Sequence, residues 1–247
     1  MKARKIQSEW ELIGDTSFLD LERNVHQLWR WKEQHPLRLE AQHWSGRLFC
    51  QPPPQGWITG NFDFFDYQRP LDLVRKGVID AWVTSYPDIP DDDDAEIASI
   101  RLNRMPVYLM VSKGHPLLGL GDAMTMADIA RYPSLALPEG AFPRFQAIAT
   151  QCGIWNTTTK PTRFKQEEWY GPMNSDDLIV GYGSPVSFQF LAKTKMILPI
   201  RLPIEVGDAL LIRREFLLAP QTKALHQTLL ERMRPLAQDD PDFQLLN

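Results

Sequence analysis

The chain has 247 residues, 43% of them hydrophobic and 23% charged, and its 27 Lys plus Arg against 31 Asp plus Glu leave a formal net charge of −4. That length can bury one large core or two small ones, and a near balance of charge with no long basic run excludes holding nucleic acid by phosphate neutralisation alone. No secretory signal is present, and no stretch approaches the roughly 18 consecutive apolar residues of a membrane span, so a cytoplasmic location is expected.

Trp10 to Ile13 is a short strand candidate, broken by the turn and cap residues Gly14-Asp15-Thr16-Ser17. Phe18, Leu21, Val25, Leu28 and Trp29 then recur at the spacing of one buried helix face, and His35-Pro36 ends the run. Leu37, Leu39 and Ala41 alternate with Arg38 and Glu40 at the period of a half-buried strand, which makes β-α-β. After Pro52-Pro53-Pro54-Gln55-Gly56, Trp57 to Phe65 returns to strand period. Leu71, Leu73 and Val74 lie on a short helix closed by Gly77, and Val78 to Thr84 is a nearly continuous apolar run expected to be a buried parallel strand. Asp91 to Asp94 reads as a solvated loop rather than a metal site, because it lacks interleaved glycine or carbonyl-turn residues.

Ile97 to Val111 reads as one long strand or two collinear ones broken at Pro106, with a turn at Lys113 to Leu117. Thr125-Met126-Ala127-Asp128 has the shape of a capping box. Ser134 to Leu137 is a short strand, and Pro143 opens a helix carrying Phe145, Ile148, Ala149 and Cys152 to a stop at Gly153. Strands at Thr162 to Gln166, Met196 to Pro199 and Ala209 to Arg213, a short helix at Ser175 to Val180 and a last helix from Pro220 to Leu236 complete the chain. The tail after Pro235 is expected to fray or dock loosely. Strands and helices alternate, so the class is α/β.

The chemistry of catalysis is poorly supported. Gly14-Asp15-Thr16-Ser17 has one glycine where a dinucleotide fingerprint needs three. The five histidines show no metal-ligand spacing, and Cys50 and Cys152 lie far apart and near no histidine cluster, so neither zinc nor a disulfide framework is legible. Gly183-Ser184-Pro185 lacks the flanks of a nucleophile elbow, and the adjacent carboxylates Glu167-Glu168 and Asp176-Asp177 point different ways. Most of the eight tryptophans read as core anchors. No cofactor and no metal are expected. What remains is hydroxyl chemistry at two strand ends, Thr16-Ser17 and Thr84-Ser85, where open α/β sheets bind ligands.

The order of segments resembles the effector-binding domain of LysR-type transcriptional regulators. Ile13 to Ser17, His35-Pro36 and Leu37-Arg38-Leu39-Glu40 are similar to the opening of that domain, as is the run from Leu71 through Gly77 and Asp80 to Val83. Lys113 to Leu117 with its following capped helix, and Gly181-Tyr182-Gly183-Ser184-Pro185, fall where the family has comparable turns. The resemblance covers about residues 8 to 236.

The resemblance implies two Rossmann-like α/β lobes of the type II periplasmic-binding-protein kind, joined by a hinge. Residues 1–106 with 204–247 would form the first lobe and 107–203 the second. A small effector, anionic or aromatic, would lie in the cleft against Thr16, Ser17, Thr84, Ser85, Pro138, Glu139, Gly140, Tyr182, Gly183 and Ser184, with Glu168 and Trp169 near it. The family's winged helix-turn-helix is not found in this chain, so DNA would be contacted only through a missing N-terminal domain. Closure of the lobes would pass through a homodimer or higher oligomer, with the helix Phe18 to Glu33 packing on Pro143 to Cys152. A free-standing solute-binding protein, or an enzyme on the same two-lobe fold, are the rival readings.

Overall fold

The computed structural model describes residues 36–60, 68–135, 142–152, 157–159, 178–191 and 195–246. The chain separates into Met1–Leu37 and Arg38–Asn247, and the account that follows concerns the larger unit. The expected strand at Trp10 to Ile13, the helix at Phe18 to Glu33 and the strand at Thr162 to Gln166 lie outside the described residues.

The first strand, β1 (Leu37–Ala41), leads into a short helix, α1 (His43–Phe49), and β2 (Trp57–Thr59) follows. Helix α2 (Gln68–Arg75) ends as its sequence demands. Gly77 takes φ 66°, a left-handed conformation that favours glycine, and the amides of Val78 and Ile79 fold back onto the Leu73 carbonyl. Val78 is therefore an exposed bend residue and the buried strand starts later, as β3 (Ala81–Tyr86). Asp80 joins the two parallel strands: its carboxylate accepts the Arg38 amide at 2.9 Å and its own amide donates to the Arg38 carbonyl at 2.9 Å.

Strands β4 (Ile97–Arg101) and β5 (Asn103–Ser112) run collinearly along one edge of β9 (Lys195–Arg213), so the break falls at Leu102 and not at Pro106. The separate strands expected at Met196 and Ala209 are one 19-residue strand. Its register against β5 slips twice, leaving residues 198–200 opposite Leu109 and 202–204 opposite Val107. Each slip contains a proline, Pro199 or Pro203, which has no amide for the ladder and is tolerated at a bulge. On its other edge β9 pairs antiparallel with β3, and β1 lies parallel beyond it, which gives a mixed sheet.

Two hydrophobic clusters lie along these long strands. One gathers Leu71, Val74, Ile79, Trp82, Ile97 and Leu211 under α2. The other gathers Leu109, Leu117, Ile129, Val180, Leu198 and Leu202 under α3 (Met126–Ile129) and α4 (Pro143–Gln151); the chain further forms β6 (Ser134–Leu135), β7 (Thr157–Thr159), β8 (Gly181–Gly183) and α5 (Pro185–Leu191). The capping box forms as read, with Thr125 and Asp128 bonded reciprocally. The stretch Leu178 to Val180 is not helical; Val180 bridges to Ser134 instead.

Helix α6 (Pro220–Asp239) buries Leu225, Leu229 and Met233, one every fourth residue, and runs past Pro235. The tail beyond it is docked, not frayed. Phe243 is buried against Phe49, with ring centroids 6.3 Å apart, and β10 (Gln244–Leu245) pairs with the start of β5. The expected solvated face of β1 is also corrected, since Glu40 is fully buried and accepts Arg38 Nε at 2.7 Å.

Candidate functional site

Parallel pairing of β1 with β3 brings their carboxyl ends side by side, Ala41 opposite Val83. The next residue, Gln42, donates its amide N–H to the Val83 carbonyl at 2.8 Å. Its side-chain oxygen accepts the Ser85 hydroxyl at 2.9 Å. The Gln42 side-chain nitrogen is buried and has no hydrogen-bond partner among the described residues. A buried amide donor without an acceptor is costly in a native fold, and a ligand is one way to satisfy it.

Thr84 and Ser85 take different roles because alternate residues of a strand face opposite sides. Thr84 shares its face with Trp82 and Tyr86, is fully buried, and has no bond to its hydroxyl among the described residues. Ser85 is half-buried and faces Gln42. Across the ladder Ser85 stands opposite Asp208, whose side chain is wholly buried. Asp208 accepts the Ser45 hydroxyl in a short hydrogen bond and Asn103 Nδ2 at 2.7 Å, and its amide donates to Asn103 Oδ1 at 3.1 Å. Burial raises the Asp208 carboxyl above its ordinary value, with the Ser45 and Asn103 bonds pulling the other way. The network joins α1, just beyond Gln42, to the two long strands.

The expected second-cluster residues are only partly seen. Tyr182 packs edge-on against Phe145 with centroids 5.6 Å apart, and burial raises its pKa while the nearby Ser134 side chain pulls it the other way. Gly183 sits tight in its lattice of neighbours: a Cβ there would lie 2.5 Å from the Phe188 ring and 3.0 Å from Met110 Sδ. Ser184 precedes α5, its amide donating to Ser187 Oγ at 2.7 Å and its carbonyl accepting that hydroxyl at 2.9 Å. Thr16, Ser17, Pro138, Glu139, Gly140, Glu168 and Trp169 lie outside the described residues. Of the expected site residues the fold therefore places Ser85 in a polar group at the strand ends, and Thr84 in a core.

Sequence reading passed over Gln42, Ser45, Asn103 and Asp208. The strand end beside Ser85 carries an amide rather than the hydroxyl that was sought, and Asn103 and Asp208 lie 105 residues apart. Among the described residues of this polar group no nucleophile is paired with a general base. Burial pushes the Cys50 thiol up to about 12, with Asp208 adding to it and Arg232 opposing, so it is inert as a thiolate. Among the described residues no group of three His, Cys, Asp or Glu is placed to hold a metal, and no helix is long and apolar enough to cross a membrane.

Two cores strung on shared long strands, with a polar group at parallel strand ends, define a mixed α/β domain of the type II periplasmic-binding-protein class. Structural relatives agree. The fold is similar to reduced OxyR from N. meningitidis at 15% identity and TM-score 0.58, covering 85% of this chain and 98% of that one. It is similar to hydrogen-peroxide-bound OxyR mutant protein of Corynebacterium glutamicum at 12% identity and TM-score 0.62, covering 89% and 72%. A BenM effector-binding-domain variant aligns at 14% identity and TM-score 0.59, covering 85% and 98%. No curated protein sequence matches the chain significantly. Residues 61–234 match the LysR substrate binding domain family, and the chain belongs to that family. It carries the effector domain of LysR-type transcriptional regulators.

Proposed function

We propose that this domain senses a small polar metabolite, anionic or aromatic, between two lobes and converts its binding into a change of lobe closure, without transforming it. The lobes are taken as expected from the sequence, residues 1–106 with 204–247 and residues 107–203, and the reading concerns their parts within the larger unit. The observation that carries the reading is the Gln42 and Ser85 pair: one buried, unsatisfied amide donor and one hydroxyl at adjacent parallel strand ends, where open α/β sheets receive ligands. Tyr182, Gly183 and Ser184 would supply the opposite wall, and Pro138, Glu139 and Gly140 its loop. The closure would act through a homodimer on DNA-binding domains in the cytoplasm. A ligand shifts such an equilibrium only by its differential affinity for the two arrangements, commonly ~1–3 kcal/mol.

A thermal-shift screen with small carboxylates and aromatic acids tests this. A ligand at 100 times its Kd adds about 2.7 kcal/mol, or about 5–10 °C in Tm for a chain of this size. The expected result is a stabilising compound recovered unchanged by NMR, with the shift lost in Gln42→Ala. Consumption of the compound, or an unaltered shift in the variant, overturns the reading. Sedimentation should show a dimer; a strict monomer at high concentration contradicts the transmission step.

A further inference from the structure

Helix α4 begins without a cap of its own. Phe142 at the N-cap has φ 52° and makes no side-chain cap bond, and Pro143 has no amide to satisfy. The next two amides donate to one distant carboxylate, Arg144 to Asp88 Oδ1 at 2.7 Å and Phe145 to Asp88 Oδ2 at 3.1 Å. Arg144 also reaches back with its guanidinium. Nη1 donates to the carbonyls of Ile89 at 3.0 Å and Pro87 at 3.4 Å, and Nη2 to Asp91 Oδ1 at 2.8 Å.

The two sides of this contact belong to different cores. Asp88 lies between Tyr86 and Ile89 of the first cluster. Phe145 and Ala149, on the same helix as Arg144, pack in the second. We propose that Asp88 and Arg144 form a latch that holds the two cores closed on one another and sets how readily they part.

A helix cap is ordinarily supplied by the residue just before the helix. Here it comes from 56 residues earlier, from a residue beside the first cluster to a helix of the second. The carboxylate meets the positive end of the helix in bidentate fashion, a charge-assisted arrangement that is strong and geometrically demanding. Burial raises the Asp88 carboxyl even though the two amides and the Arg144 charge pull the other way, so the closed contact is held against a desolvation cost. When the cores part, both the amides and the carboxylate regain water. Opening is then a modest, reversible exchange that leaves each core intact, because β5 and β9 still join them.

The latch rests on the two-lobe reading but not on the ligand site. Spin labels at Lys76→Cys and Lys113→Cys, both exposed and one beside each core, report the separation by pulsed electron paramagnetic resonance in a Cys152→Ser background, with Cys50 left buried. Asp88→Ala is expected to move the main distance outward by several ångströms and broaden it. Arg144→Ala, which keeps the backbone cap, should move it less in the same direction and serves if Asp88→Ala fails to fold. Unchanged distance distributions in folded variants overturn the latch. That result would leave a ligand-induced Tm shift untouched, just as a failed ligand screen would leave the distances untouched.

Discussion

Asp208 offers the sharpest test of how this fold is held. Replacing it with alanine leaves the Ser45 hydroxyl buried without its acceptor and Asn103 Nδ2 with only the weak Met233 sulfur at 3.4 Å. Each orphaned donor costs about 1–3 kcal/mol, so Asp208→Ala should lose about 2–6 kcal/mol. At about 2–4 °C per kcal/mol that is a Tm drop on the order of 10 °C. Asp208→Asn should behave differently. Its oxygen still accepts from Asn103, and its NH2 donates to the Ser45 hydroxyl, which accepts as well as it donates. The cost should stay within about 1 kcal/mol near neutral pH. The sign with pH follows from the raised carboxyl. The folded protein holds this proton above 3.8, where the unfolded carboxyl releases it, so the contribution is full below 3.8 and is lost as pH rises toward the raised folded value. Wild type should therefore lose stability relative to Asp208→Asn from about pH 4 upward. Chemical denaturation of the three proteins across pH 4–8 reads this directly. An Asn variant as unstable as the Ala variant, or a wild-type difference flat with pH, refutes the reasoning.

Phe243→Ala should cost about 3–5 kcal/mol and release β10, seen as fast hydrogen exchange over residues 240–246; wild-type protection there in the variant would contradict a docked tail. Gly207→Ala drives a Cβ into the Asn103 backbone carbonyl and the Tyr86 ring, which backbone movement alone can relieve, whereas Gly183→Ala meets the Phe188 ring and Met110 sulfur and should cost about 1–3 kcal/mol. Soluble yield and denaturation midpoints should rank Gly207→Ala as clearly the worse; equal tolerance would show that neither approach is close. His115 Nδ1 accepts the Leu117 amide at 3.1 Å, and burial holds the imidazole below 6.5. Its contribution is present above 6.5 and lost as pH falls through the lowered value. His115→Asn, which keeps an acceptor, should flatten that acid limb in thermal melts, and an unchanged slope would remove His115 from it.

The local signals were the legible ones. Gly77 after an apolar helix face, the Thr125 to Asp128 box, Pro143 at a helix start and the four-residue stripe of α6 all act within a turn of chain, so sequence alone specified them. Segment order likewise carried the family. Periodicity misled where distant chain covered a face. Glu40 alternates like an exposed residue yet is buried and paired to the exposed Arg38, and the tail after Pro235 looks polar yet anchors Phe243 against Phe49. Met196 to Pro199 and Ala209 to Arg213 read as separate strands, but they are one strand whose two slips against β5 contain Pro199 and Pro203.

The site divides the same way. Ser85 was visible because hydroxyls at the end of an apolar strand follow from local pattern. Gln42 as its partner, Asp208 opposite it and Asp88 as the cap of a helix 56 residues away were not, because a side chain's partner is chosen by which elements lie adjacent and in what register. A residue's preference for helix, strand or turn is a short-range energy that the sequence carries. Which polar groups leave water together is decided only when the sheet has closed, and there the buried carboxyls of Asp88 and Asp208 find their donors.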